Sequence, residues 1–215
     1  MKEKIKEIQR RLGVTADGIM GPVTVEAILA RLEERRAGCP STPDERTSSG
    51  YAEAAGLRNS GPWPTQKEVR SGKSVFGAPG EAALVNVAPP YPFFYEGKQV
   101  RSIRVHRVVA PVVLSALQQV LDEYGPERIR ALGLDQYGGS YNYRQTTGAS
   151  SLSMHAWGIA LDFCPAGNGM SVHAPAATLS HPDCRRWWEI WESFGAVSMG
   201  RARGYDWMHV QFARL

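Results

Sequence analysis

The chain has few cysteines and no long apolar run. These two features argue against a disulfide-rich protein and against a membrane-spanning protein. Three cysteines occur among 215 residues, Cys39, Cys164 and Cys184, and they form no paired motif. The odd number argues against a disulfide framework and favours synthesis in a reducing compartment. No apolar run reaches the roughly 18 residues that a membrane-spanning helix needs, so we expect no membrane span.

The first residues also lack the apolar core of a secretory signal, because residues 1–7 are mostly charged. We therefore expect synthesis in the cytoplasm without a signal peptide. The formal net charge is +4 and the pI is near 9.0. This modest basic excess suits an anionic polymer such as cell-wall material. The basic residues are scattered and form no nucleic-acid motif, so we expect no nucleic-acid partner.

The sequence does contain a histidine and an aspartate seven positions apart, beside an apolar run. Residues Ile159–Phe163 predict a short buried strand, in which an ionised Asp162 is costly unless a positive or hydrogen-bonding group meets it. An unbroken strand would point His155 and Asp162 to opposite faces, and a helix would place them about 10 Å apart along its axis. A bend at Gly158 would let both side chains share one metal ion.

A second cluster lies near the C-terminus, where His209 opens another short apolar strand. Asp206 precedes it by three residues, in a turn that contains glycine. Two histidines and one carboxylate, namely His155, Asp162 and His209, are a known ligand set for catalytic zinc with one position left for water. Asp206 would then act as a base on that water. Taken singly, each residue also has a structural explanation, as a satisfied core histidine or a paired aspartate.

Two short motifs carry a family resemblance, Ser153-x-His155-x-x-Gly158-x-Ala160-x-Asp162 and Asp206-x-x-His209. They resemble the signature of the zinc D-Ala-D-Ala carboxypeptidase and L-Ala-D-Glu endopeptidase family, which includes vancomycin-resistance peptidases and many phage endolysins. The similarity covers about residues 100–215. It implies zinc bound by the two histidines and Asp162, Asp206 as the general base, and bacterial peptidoglycan as the substrate.

The stretch Tyr141-Asn142-Tyr143-Arg144 resembles the segment that precedes the histidine motif in this family. By this resemblance, Arg144 points at the substrate carbonyl or carboxylate, where a fixed cation stabilises a developing oxyanion. An ordinary surface arginine is the alternative. Tyr143 and Ser153 are expected to bind the substrate, and Ser153 has orientation of His155 as its alternative role.

Carboxypeptidase members of the family usually carry Glu in the base position, whereas Asp206 resembles the L-Ala-D-Glu endopeptidases. We therefore expect an L-Ala-D-Glu endopeptidase, with a D-Ala-D-Ala carboxypeptidase as the alternative. A non-catalytic wall-binding protein with a structural metal site is an alternative of another class, as are signalling domains that share the zinc fold. Asp206 argues against both. The expected enzyme is a monomer that reaches the wall through a holin, lysis or a phage particle.

The composition divides the chain into three expected segments. Residues 1–36 form a helical segment, residues 37–74 a linker rich in small and polar residues, and residues 75–215 the zinc peptidase domain. Within the linker, residues 62–70 are expected to form a short helix that already packs on the catalytic domain. The first segment resembles the common peptidoglycan-binding module, although it is shorter than the usual three-helix form. The resemblance lies in the pattern Ile8-Gln9-x-x-Leu12-Gly13-Val14-x-x-Asp17-Gly18-x-x-Gly21-Pro22-x-Thr24. Wall binding and a structural remnant both remain open for it.

The expected fold is α+β, a small antiparallel sheet that carries the zinc site, with flanking helices and the short N-terminal helical module. Apolar spacing predicts a helix over residues 111–124, and residues 183–195 predict a helix whose tryptophans serve the core rather than glycan stacking. Residues 100–105 predict an edge strand or an extended arm. His106 is expected to be structural, and Cys164 is expected to be a buried thiol rather than a ligand.

Overall fold

The computed structural model describes residues 2–19, 23, 24, 27, 61–148 and 150–215. The chain divides into two compact units, Met1–Arg46 and Thr47–Leu215. Most of the second helix expected in the N-terminal segment, and residues 37–60 of the expected linker, lie outside the described residues. Within the described ranges, no helix is long and apolar enough to cross a membrane.

The described part of the first unit is built on helix α1 (Lys2–Leu12), which the apolar spacing predicts. Its most buried described residue is polar, because the side chain of Gln9 is 1% exposed. The Gln9 side chain makes four hydrogen bonds of 2.7–2.9 Å, to Asp17 Oδ1, Ile19 O, Thr24 Oγ1 and the amide of Gly18. A satisfied buried amide of this kind fixes the turn after α1 in one conformation.

A four-stranded antiparallel sheet lies at the centre of the second unit. Its strands are β5 (Tyr137–Gly139), β6 (Ala160–Phe163), β7 (Val197–Ser198) and β8 (His209–Gln211), in the order β5-β6-β8-β7. All residues of β6 and β8 are buried, as the apolar runs predict. The two strands that carry the metal-ligand candidates are therefore hydrogen-bonded neighbours.

Two further strand pairs precede this sheet. Strand β1 (Leu84–Val87) pairs with β4 (Ile103–His106), and β2 (Phe93–Tyr95) pairs with β3 (Lys98–Val100). The single strand or arm expected over residues 100–105 is thus divided, because its two ends pair with different partners. The alpha and beta elements together confirm the α+β class.

Helices flank the sheet. Helix α3 (Ala110–Ala131) is interrupted at Gly125, whose φ of 66° and ψ of 163° are not helical, directly before Pro126. Proline removes a helical hydrogen bond and clashes with the preceding turn, which explains the break. Helix α4 (Arg185–Ser193) buries the three tryptophans Trp187, Trp188 and Trp191, so the predicted core role of this helix is confirmed. Helix α5 (Met199–Arg203) leads towards β8.

Residues 62–70, which we call the strap, lie in the second unit and end in helix α2 (Gln66–Arg70). Thr65 and Glu68 form a capping box that starts α2. The strap is attached to the chain just after β8: the amide of Gln66 donates to Arg214 O at 2.8 Å, and the amide of Arg214 donates to Pro64 O at 2.9 Å. The strap therefore contacts the segment that follows the second histidine.

A sharp bend separates His155 from strand β6, as the spacing of the motif predicts. His155 lies in a short 3₁₀ helix (Met154–Trp157), which ends at Gly158 with φ 67° and ψ 29°. A Cβ atom at position 158 would lie 2.5 Å from Leu84 Cδ2 and 3.2 Å from the His106 backbone nitrogen. Both the left-handed conformation and the close packing require glycine here.

We predict that Gly158→Ala lowers the free energy of unfolding by about 1–3 kcal/mol, because the side chain adds left-handed strain and a contact with Leu84. Denaturant-induced unfolding measures this change. Gly169→Ala is the matched control, since a Cβ atom there would meet nothing within 4 Å. An equal loss in both variants would contradict the special role of Gly158.

Candidate metal centre

His155, Asp162 and His209 converge on one point inside the second unit. Asp162 and His209 are direct cross-strand partners in β6 and β8, which places both side chains on the same face. His155 Nε2 lies 3.2 Å from Asp162 Oδ2, and His209 Nδ1 lies 3.1 Å from Asp162 Oδ1. One ligand atom from each residue lies within 4.8 Å of the other two. The three residues form a group that could bind a metal ion.

The outer nitrogen of each imidazole faces a hydrogen-bond acceptor. His155 Nδ1 lies 2.9 Å from Ser140 O, and His209 Nε2 lies 3.1 Å from Gln211 Oε1. A neutral imidazole therefore carries its proton on the outer nitrogen and turns a lone pair inward. The two inward nitrogens are 3.2 Å apart and face Asp162. Three electron-pair donors in so small a space require a shared positive charge, and this donor set fits a divalent metal ion.

The pKa shifts in this group agree with that requirement. Burial alone would raise the pKa of Asp162, but hydrogen bonds and positive charge from the protonated forms of His155 and His209, in which the inward nitrogens carry protons, outweigh burial and hold this pKa below its ordinary value. Burial would lower the pKa of His209, yet the Asp162 carboxylate raises it above the ordinary value. The site therefore favours a positive charge between the imidazoles and the carboxylate, which a bound cation would supply.

Asp206 lies in the turn before β8 and has two unusual features. Its backbone adopts a φ of 55°, which is strained for a residue other than glycine. Its Oδ1 atom is buried and has no hydrogen-bond partner among the described residues. Burial raises the pKa of this carboxyl group above its ordinary value. Asp206 is thus a carboxyl group held near the metal-binding group with one oxygen still available to a proton.

Two cavities are lined by residues of this group. A cavity of about 400 Å³ is bordered by β5, by residues 140–142 and by His155 and Asp162. A smaller cavity of about 90 Å³ is bordered by Ser153, Asp206, His209 and Gln211, and by Arg70 of the strap. Arg144 borders both cavities. The metal-binding group therefore lines both cavities, with His155 and Asp162 on the larger one and His209 on the smaller one.

The other expected site residues differ in their burial and in whether they border the two cavities. Ser153 is the N-cap of the 3₁₀ helix that carries His155, and its Oγ accepts a hydrogen bond of 3.4 Å from the His155 amide. Arg144 is exposed, and its Nη1 donates to Gln145 O at 3.2 Å. Tyr143 is 59% exposed and borders neither cavity. Ser153 orients His155 from within the small cavity, while Tyr143 lies outside both cavities.

The remaining histidines and Cys164 lie outside the group. His106 has both ring nitrogens engaged, with Phe76 O at 3.1 Å and the Val108 amide at 3.2 Å, which fits the expected structural role. Cys164 follows β6 in a left-handed turn, and its Sγ lies 3.8 Å from Thr178 Oγ1. It is half-buried, so the expectation of a buried thiol is wrong, because the chain turns away from the core directly after β6. Within the described ranges, His155, Asp162 and His209 make up the one cluster of histidine, cysteine and acidic residues that could hold an ion.

Two glutamines beside His209 were not among the expected site residues. Gln211 Oε1 faces His209 Nε2 at 3.1 Å and also accepts a hydrogen bond of 3.2 Å from Gln66 Nε2 in the strap. Its Nε2 donates to Ala213 O, which fixes the orientation of the amide. Side-chain alternation in a strand could have placed Gln211 on the face of His209. No local signal points to Gln66, which lies 145 positions earlier.

Comparisons with known proteins add no family assignment. Scans against protein-family models, curated proteins and solved structures find no match to this chain. The functional case depends on the sequence motifs and on the geometry of the site.

We predict that Gln211→Ala weakens zinc binding by about 10- to 100-fold, because it removes the acceptor that fixes the His209 tautomer. Competition with a chromogenic chelator measures the affinity, and the absorption spectrum of bound Co²⁺ reports the ligand geometry. Gln211→Glu is the matched control, since its carboxylate still accepts a hydrogen bond from His209. Unchanged affinity in Gln211→Ala would show that the amide does not support the ligand.

Proposed function

We propose that this chain is a zinc peptidase that hydrolyses the stem peptide of bacterial peptidoglycan, with the L-Ala-D-Glu bond as the first candidate. The observation that supports this most strongly is the convergence of His155, Asp162 and His209 beside the unsatisfied carboxyl group of Asp206. The three residues line two cavities, which offer room for a peptide beside the group.

Zinc is the metal that best fits the donor set. Two imidazole nitrogens and one carboxylate are typical of catalytic zinc sites, whereas calcium and magnesium prefer oxygen ligands. When bound, zinc supplies Lewis-acid polarisation of a carbonyl group and a water whose pKa falls to about 7. Ser140 and Gln211 would orient the two histidine ligands from behind.

Asp206 is the proposed general base. Its unpartnered Oδ1 accepts a proton from the attacking water, and the same oxygen then donates that proton to the leaving amine nitrogen. Burial raises the pKa of Asp206, which makes the carboxylate a better proton acceptor than a solvated one. The left-handed backbone of Asp206 is a type of strain that is concentrated at functional sites.

Arg144 and Ser153 have supporting roles in this proposal. Arg144 borders both cavities, so its guanidinium can reach a carbonyl oxygen held between them and stabilise the negative charge that develops there. Ser153 holds the helix that carries His155 and faces the small cavity. Tyr143 would bind substrate from the exposed surface beside Arg144.

The choice of bond follows from the aspartate in the base position, which resembles the L-Ala-D-Glu endopeptidases; a D-Ala-D-Ala carboxypeptidase is the second candidate. Mass spectrometry of digested peptidoglycan separates the two, because the first activity creates a new D-Glu amino terminus and the second releases D-alanine. A wall-binding protein with a structural metal site would release neither product. The unsatisfied Asp206 argues against that reading.

We predict that Asp206→Asn keeps zinc but lowers turnover by about 10²- to 10⁴-fold, because the amide cannot accept the proton. His209→Ala is the contrasting variant, since it removes a ligand and should lose zinc and turnover together. Metal analysis of the purified variants and mass spectrometry of peptidoglycan digests measure the two effects. Normal hydrolysis by Asp206→Asn would refute the assignment of the base.

A further inference from the structure

Arg70 is a partly buried cation that has no acidic partner among the residues the structure describes. It ends helix α2, and its Nε donates to Leu152 O at 3.0 Å. Its two Nη nitrogens have no hydrogen-bond or ion-pair partner among the described residues. Burial lowers the pKa of the Arg70 guanidinium below its ordinary value, and no carboxylate in the described part of the chain offsets that effect. A guanidinium removed from water in this way is costly until an anion meets it.

Two other partly buried arginines of the second unit have partners within the protein. Arg201 Nε lies 3.2 Å from Glu192 Oε1, and Arg214 Nε donates to Trp63 O at 2.8 Å. Arg70 has no acidic partner among the described residues, and it borders the cavity of about 90 Å³ beside the metal group. A ligand in this cavity is therefore the candidate partner of Arg70.

The charges around this cavity favour an anionic ligand group. Arg70 and Arg144 border it, and Asp206 is the single carboxyl group among the described residues that do so. Asp206 is occupied with proton transfer in the proposed mechanism. Because Asp206 passes its proton to the leaving amine, the amino acid that carries this amine lies on the small-cavity side of the metal group.

We propose that Arg70 binds the free α-carboxylate of the amino acid whose amine is released; this inference rests on the proposed function. The stem peptide continues from the side-chain carboxyl group of D-Glu, so the D-Glu α-carboxylate is free and adjoins the scissile nitrogen. A terminal D-Ala also carries a free α-carboxylate at that place. Both candidate substrates therefore present the group that a guanidinium recognises with two parallel hydrogen bonds.

A purely structural role is the competing explanation. The bond from Arg70 to Leu152 O connects the strap to the residue before Ser153, so loss of Arg70 could disturb His155 indirectly. That role would affect every substrate equally. Recognition of a carboxylate would affect only substrates that carry one, and this difference separates the two explanations.

The test uses the zinc-loaded full chain and two matched stem peptides, L-Ala-γ-D-Glu-L-Lys and the same peptide with the D-Glu α-carboxylate converted to a carboxamide. The wild type should prefer the free carboxylate. In Arg70→Gln, kcat/KM for the carboxylate peptide should fall about 10- to 100-fold, mainly through KM, while the carboxamide peptide changes little. A D-Ala-D-Ala peptide and its C-terminal amide give the same comparison for the second candidate bond.

Two variants and one binding measurement complete the design. Lys67→Gln removes one positive charge from the exposed side of the same helix and should leave the preference unchanged. Arg70→Lys keeps the positive charge but cannot form two parallel hydrogen bonds to a carboxylate, so it should retain part of the preference for the carboxylate peptide. Calorimetric titration with the product γ-D-Glu-L-Lys should show the same weakening in Arg70→Gln, independently of turnover.

The outcomes distinguish the inference from the proposed function. If the wild type cleaves the carboxylate and carboxamide peptides equally well, or if Arg70→Gln slows both to the same extent, the carboxylate role is wrong and the peptidase stands. If the wild type cleaves no stem peptide, the proposed peptidase function is wrong, and the product titration alone decides whether Arg70 recognises a carboxylate.

Discussion

The pairing of Asp162 with His209 across two buried strands is the constraint on which the site depends. A carboxylate in the middle of an apolar strand is tolerated only where positive charge or hydrogen-bond donors meet it. The register of β6 and β8 places one imidazole directly opposite this carboxylate, and the bend at Gly158 brings in the second. The remaining features, from the outer acceptors to the two cavities, are arranged around that one buried charge.

Local physics made much of this arrangement predictable. The seven-residue spacing of His155 and Asp162 excluded both a straight strand and a helix as a common support, and Gly158 was the residue at which a bend costs least. The apolar runs identified β6 and β8, and the aromatic helix was correctly assigned to the core. In each case a short stretch of sequence contained both the pattern and its physical reason.

Features that depend on distant contacts were not predictable in the same way. Residues 62–70 do predict a short helix that packs on the catalytic domain, but no local pattern places Gln66 and Arg70 beside the metal group. The attachment of the strap to Arg214 brings them there. The buried Gln9 shows the same limit on a smaller scale, because a polar residue next to an apolar stripe gives no sign that it forms the centre of a turn. Hydrogen bonds between residues far apart in the sequence cannot be predicted from the local pattern of apolar and polar residues.

The attachment of the strap to the residues after β8 has a consequence for how the protein could be divided. Residues 62–70 supply Gln66 to the support of His209 and Arg70 to the small cavity, although they precede the motif-bearing region by some eighty positions. A fragment chosen by its recognisable motifs alone would begin too late and would omit both side chains. The smallest fragment that retains the whole pocket must therefore include the strap, because hydrogen bonds between the strap and Arg214 hold the early and late segments together.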